Sequence, residues 1–198
     1  MERGYVIMAT IGKTGVSTTT PGNILFGAGT YHTGLKFANG KWEGACVGAT
    51  SGGGKLAIVG ELVPIELDGA LVKVEGLDVK QGGTANMEVN FAELSNSILK
   101  MGTLFEEGES DAEGFTMLVD KAHLKKGDYL ENFGFVGETA DGTKQIIVIF
   151  ERALCTSGLE LEPKGKENAV VKLTLEACAP IDGDLDRLPV KIYYPNAT

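Results

Sequence analysis

Asn86-Met87-Glu88-Val89-Asn90-Phe91 sets Met87, Val89 and Phe91 in one apolar row and the residues between them in a polar row. That two-residue period is the pattern of a β-strand with one buried and one wet face. Val72 and Val74 alternate with Lys73 and Glu75 in the same way, as do Val171, Leu173 and Leu175 with Lys172, Thr174 and Glu176. Strands of this kind belong to antiparallel sheets. Ile146 to Phe150 differs in being continuously apolar and rich in β-branched residues, so it reads as a strand covered on both faces, by the core and by a helix or another subunit. Asp141-Gly142 before it is a hairpin turn. Pro64 has no N–H to give to a ladder, which makes the run from Glu61 to Leu67 an edge or bulged strand, and Asp68-Gly69 then turns the chain back.

One helix interrupts the strands. Asn90 and Glu93 form an N-x-x-E capping box, Phe91, Leu94, Ile98 and Met101 share a side, and Gly102 supplies a stop. The pattern predicts a helix from Phe91 to Met101 with Leu94 in the core. The acidic stretch from Glu106 to Gly114 reads as a surface loop. Residues 1–22 are rich in Thr, Ser and Gly and have no periodic apolar face, so they read as a flexible arm preceding a single domain over residues 23–198. Both the arm and the glycine-rich loop from Gly48 to Lys55 are expected to order only on assembly.

With 198 residues the chain suits one well-packed domain, and its 43% apolar and 23% charged residues match soluble globular proteins. The 28 glycines follow no strict period and favour many turns between short strands. A formal charge of −9 argues against a protein that grips nucleic acid, because phosphate binding needs clustered Lys and Arg. Cys46, Cys155 and Cys178 are an odd, widely spaced set that reads as buried free thiols. The apolar run from Tyr5 to Met8 is too short to cross a bilayer or to form a signal-peptide core, so synthesis and assembly in a cytoplasm are expected, with no membrane anchor.

Motifs that suggest chemistry fail on their spacing. In Gly48-Ala-Thr-Ser-Gly-Gly-Gly-Lys55 the phosphate-loop register puts Ala49 at the first glycine and Leu56 at the Mg²⁺-binding hydroxyl. Asp182, Asp184 and Asp186 resemble a calcium loop, yet Arg187 stands at its glycine and Tyr193 at its bidentate Glu. The only histidines, His32 and His123, have no nucleophile elbow near them. Trp42, Tyr193 and Tyr194 form no aromatic stripe and read as core or interface residues. The expectation is a non-enzymatic protein with no cofactor and no metal.

The order of segments carries more. Asn23-Ile-Leu-Phe-Gly-Ala-Gly-Thr30 is followed by Val47-Gly-Ala-Thr-Ser-Gly-Gly53, Leu67-Asp-Gly-Ala70, and the strand-to-helix junction Met87-Glu-Val-Asn-Phe-Ala-Glu-Leu94. Asp128-Tyr-Leu-Glu-Asn132 then leads to the strand at Ile146, and Leu188-Pro-Val-Lys-Ile-Tyr-Tyr-Pro195 closes the series. In that order and spacing the chain resembles the major tail tube proteins of long-tailed bacteriophages. The resemblance implies a mainly β protein, a β-sandwich or partly closed β-barrel flanked by one α-helix. It also implies six copies to a ring and rings stacked into the tail tube, beside other tail proteins in the virion tail. DNA passes through such a lumen without specific binding, so a negative wall is expected, with Glu75, Glu88 and Glu176 as candidate lumen-facing residues on polar strand faces. The alternative is a carbohydrate- or host-surface-binding β-sandwich of a tail tip, which calls for an exposed aromatic cluster or a Ca²⁺ site.

Overall fold

The computed structural model describes residues 15–196 apart from 162, 164 and 167. The first half of the chain contributes β1 (Leu25–Ala38), β2 (Lys41–Cys46), β3 (Thr50–Pro64), β4 (Asp78–Phe91) and the helix α1 (Asn96–Thr103). There follow β5 (Glu106–Gly108), β6 (Met117–Val119), β7 (Leu130–Thr139), β8 (Gln145–Cys155), β9 (Glu160–Leu161), β10 (Val171–Ala177) and β11 (Val190–Tyr193). The protein is mainly β: one large antiparallel sheet folded over its own core as a sandwich, with one α-helix beside it among the described residues. The strand order is β2-β1-β7-β8-β10-β4-β3. One edge of β8 pairs with β7, and the other is shared, by β11 along Ile147–Phe150 and by β10 along Ala153–Cys155.

The sheet curls until its two ends approach. Tyr31 of β1 packs on Phe133 and Phe135 of β7 and also on Phe91 of β4, with ring centroids 6.2, 5.4 and 6.4 Å apart. Met87, Val89, Phe150, Leu173 and Leu175 complete this core. Gly54 of β3 is what lets the ends meet, since a Cβ there would lie 2.1 Å from the Tyr31 hydroxyl and 2.5 Å from the Glu88 carbonyl oxygen. Of the Gly48–Lys55 stretch only Gly48 and Ala49 stay in the connection after β2; the rest is strand. It enters β3 as a bulge, with Gly52 and Gly53 at φ of 79° and 76° and a register shift between Thr50 and Gly54.

β8 is covered on both faces, as its composition requires. Val148 and Phe150 enter the main core, while Ile147 and Ile149 pack with Leu35, Trp42 and Val136 on the opposite face. The cover is the chain's own β1–β2 hairpin. β1 stays with β7 only as far as His32, its register with β2 shifts between Thr33 and Lys36, and the hairpin then continues alone. Leu35 lies across Gly134, where a Cβ would come 2.5 Å from Leu35 Cδ2.

The helix is shorter and later than the capping box implied. Asn90 and Phe91 remain in β4, paired with Lys172 and Val171, and the Asn90 amide donates to the Gly53 carbonyl at 3.0 Å. The ladder outbids the local helix signal. Ser95 caps α1 by accepting from the Ile98 amide at 3.2 Å, and Leu104 ends it in the left-handed region at φ 60°. Gly102 lies inside the helix, where the Leu173 side chain leaves no room for a Cβ. Leu94 precedes the helix and is 51% exposed, so the core position is Ile98.

Two strand readings also change. Val72 to Glu75 sits in the irregular connection between β3 and β4, because the ladder partner of β3 begins at Asp78. That connection is closed by Ile65 N–H to Leu77 O at 2.7 Å and by the Lys73–Asp78 ion pair at 3.0 Å. The acidic stretch after Phe105 starts as β5, paired with β6, before it becomes irregular. The edge reading of Pro64 and the turns at Asp68-Gly69 and Asp141-Gly142 match the structure.

Candidate functional site

β3 and β4 form the longest hairpin, paired from Thr50 and Phe91 out to Pro64 and Asp78. β10 accompanies β4 only over Asn86–Phe91, so among the described residues no strand pairs with the far half of the hairpin on the β4 side. β3 is itself a sheet edge, and β2 is the other. The far half is apolar. Val59 and Leu62 are each 58% exposed, Leu67 is 56% exposed, and Ile65, Leu71 and Val72 are also open to solvent. A row of unpaired backbone groups next to exposed aliphatic side chains is what an assembling protein presents and a monomer avoids.

The three candidate lumen residues do not form one group. Glu88 and Glu176 lie on the polar face of adjoining strands, where Glu88 pairs across from Thr174, and Glu176 from Asn86. Lys55 of β3 meets Glu88 at 3.0 Å and offsets its charge, although both side chains are at least half exposed. Glu75 is not a strand residue at all, since it belongs to the connection at the hairpin's end.

The other motifs resolve into structural parts. Asp184 accepts from the Asp186 amide at 3.0 Å and pairs with Arg187 at 3.1 Å, and among the described residues no three His, Cys, Asp or Glu side chains converge as a metal site would require. His32 Nε2 bonds Thr30 Oγ1 at 3.0 Å while Nδ1 is buried without a partner, and burial pushes the imidazole below its ordinary pKa. His123 is exposed in the segment before β7. All three cysteines are free, but only Cys155 is buried; Cys178 is half-buried, and Cys46 is exposed at the last residue of edge strand β2. Residues 15–19 of the arm are exposed and Thr20 is partly buried, with Ser17 bonded to Thr20, while residues 1–14 lie outside the described residues. The segment leading into β7 is held by Lys121, largely buried against Asp128. Burial pushes the Asp128 carboxyl up, but bonds from Lys121 and the Lys125 amide prevail and hold it below the usual carboxylate range.

One grouping was invisible in the linear chain. The β1–β2 hairpin brings Trp42 onto Tyr193 of β11, with centroids 4.8 Å apart, and onto Phe37 at 5.3 Å. Tyr194 stands beside them, its hydroxyl donating to Asn23 Oδ1 at 3.1 Å. No sequence signal joins residues so distant in the chain; only the fold does. No protein-family model matches the chain, and no curated protein matches it.

Proposed function

We propose that this protein is a structural subunit of a bacteriophage tail tube, forming six-membered rings that stack into a conduit for DNA in the virion tail. The observation that carries the reading is the β3–β4 hairpin, with its apolar far half and its unpaired edge, set at one end of a sheet whose other end, β2, is also open. Edge-to-edge pairing between copies closes such a sheet into a barrel and removes both liabilities at once. The order of sequence segments supports the same reading. Its chemistry is passive: the net charge of −9 repels phosphate, and Glu88 and Glu176 are the candidates for the lumen wall, inside which DNA slides without specific contacts. Assembly takes place in the host bacterial cytoplasm beside other tail proteins.

Negative-stain microscopy of concentrated purified protein tests this. Hollow tubes or six-fold rings are the expected result. A monodisperse monomer that stays so at high concentration, and in the presence of preformed tail-tip complexes, overturns it.

A further inference from the structure

The fold builds a cleft that tube assembly does not use in the reading above. It lies over the outer face of β8, with a volume of about 520 Å³, and is lined by Trp42, Ile147, Tyr193 and Tyr194 on one part and by Glu138, Thr143, Lys144, Gln145 and Asn196 on another. This size falls within the range of small-molecule sites, which run from about 300 to 1,000 Å³. Its walls come from three separate places: β2 of the β1–β2 hairpin, the β7–β8 turn with the start of β8, and the end of β11 with the segment after it. Each is pinned. Asp141 Oδ1 accepts from Thr139 Oγ1 at 2.7 Å and from the Thr143 amide at 3.1 Å, which sets the turn. Asn23 Oδ1 receives both the Tyr194 hydroxyl and, at 3.4 Å, the Lys144 ammonium, which ties the turn to the wall opposite.

We infer that this cleft binds a neutral oligosaccharide. A pyranose ring has an apolar C–H face and a rim of hydroxyls, so it needs an aromatic surface beside side chains that both donate and accept. Trp42 meets Tyr193 at 73° and Phe37 at 65° in edge-to-face contacts and is itself half-buried, while Tyr193 and Tyr194 remain 42% and 55% exposed and supply the open aromatic surface. Gln145 and Asn196 offer amides that donate and accept, Glu138 accepts, and Thr143 does either. One carboxylate and one ammonium leave the lining without net charge, which disfavours a polyanion, and the charge of the whole chain disfavours it further. Cleavage of the glycan is not implied, because glycoside hydrolysis calls for a pair of carboxyl groups and Glu138 is alone in the lining.

The protein provides its own probe, since Trp42 is the only tryptophan. Titrating the full-length unassembled chain with maltohexaose, cellohexaose and chitohexaose, while following tryptophan emission, is expected to give a saturable change for at least one of them, with a Kd on the order of 1 mM or tighter. Tyr194→Ala, an exposed position, is expected to weaken that binding roughly 3- to 10-fold while the thermal melt stays unchanged. Glu138→Gln provides a second variant that keeps the shape of the cleft. No saturable response to any of the three sugars overturns the inference, as does a response that neither variant alters. Emission that changes with protein concentration and not with sugar assigns the cleft to contact between copies and overturns it equally. None of these outcomes depends on whether the chain forms tubes.

Discussion

Leu62→Ser with Leu67→Ser probes the hairpin's apolar far half most directly. Burying a leucine side chain completely is worth about 1.5–3 kcal/mol. These two are 58% and 56% exposed in the free subunit, so a little over half of that gain is still to be made when a neighbour covers them. The pair is then worth about 2–3 kcal/mol to each contact, which corresponds to roughly a 30- to 150-fold change in an association constant. Ordering of side chains at the interface lowers this ceiling, and about tenfold is the smallest effect that keeps the reasoning intact. Pelleting polymer across a concentration series gives the critical concentration of parent and variant, and a urea melt of the unassembled variant gives its own stability. The critical concentration is expected to rise by that factor, while the smaller part of each side chain already covered limits the monomer's own loss to about 1–2.5 kcal/mol for the pair. Assembly at the parent's concentration, or a monomer destabilised by more than about 4 kcal/mol, refutes the reasoning, because the leucines would then serve the subunit's own fold.

Ile98→Ala is expected to cost about 2–5 kcal/mol in chemical denaturation, since Ile98 is fully buried, whereas Leu94→Ala costs no more than about 0.5 kcal/mol; equal losses would return Leu94 to the core. Burial lowers the folded-state pKa of His32, so the unfolded chain takes up the proton first and stability declines as pH falls below about 6.5, flattening only below the folded-state value. Denaturation midpoints of the parent and His32→Gln at a series of pH values check this, and an identical acid limb in both would assign that loss to other groups. Tubes carrying Glu88→Lys with Glu176→Lys are expected to slow DNA ejection from reconstituted particles, while Glu75→Lys alone, at the hairpin's end, leaves it unchanged. Normal ejection through well-formed double-variant tubes would move the lumen wall elsewhere.

Much of the sheet was legible because burial itself writes a period. β4, β8 and β10 show in the sequence the faces they present in the structure, down to the two-sided burial of Ile147 and Ile149 against Val148 and Phe150. Val72 to Val74 shows the same period without a strand, because alternation records only side-chain chemistry and a ladder also needs a partner at the right register. The Asn90-to-Glu93 box failed for a related reason: pairing on both sides of β4 satisfies the backbone and the Asn90 amide, leaving the helix to start at the next available cap, Ser95. The glycine run before Lys55 looked like a loop because its purpose, room for the Tyr31 hydroxyl, lies in a strand far along the sheet. The aromatic cleft had no linear trace, since its rings come from β2 and from the distant segment around β11.

The divided edge of β8 has a consequence for how the chain reaches its native state. β7 and β8 are joined by a tight turn and close on each other through local contacts, yet the strands that complete the other side of β8 are β10 and β11, made last among the described elements. β4 likewise waits for β10, and β1 for β7. Pairings so distant in sequence are slow to form, because loop-closure entropy is lost before any contact repays it. On the ribosome the β3–β4 hairpin therefore emerges with its aliphatic end bare and without its later neighbours. A nascent chain in that condition risks pairing with the wrong copy, so the rate at which β10 and β11 dock sets how much newly made chain reaches the native fold.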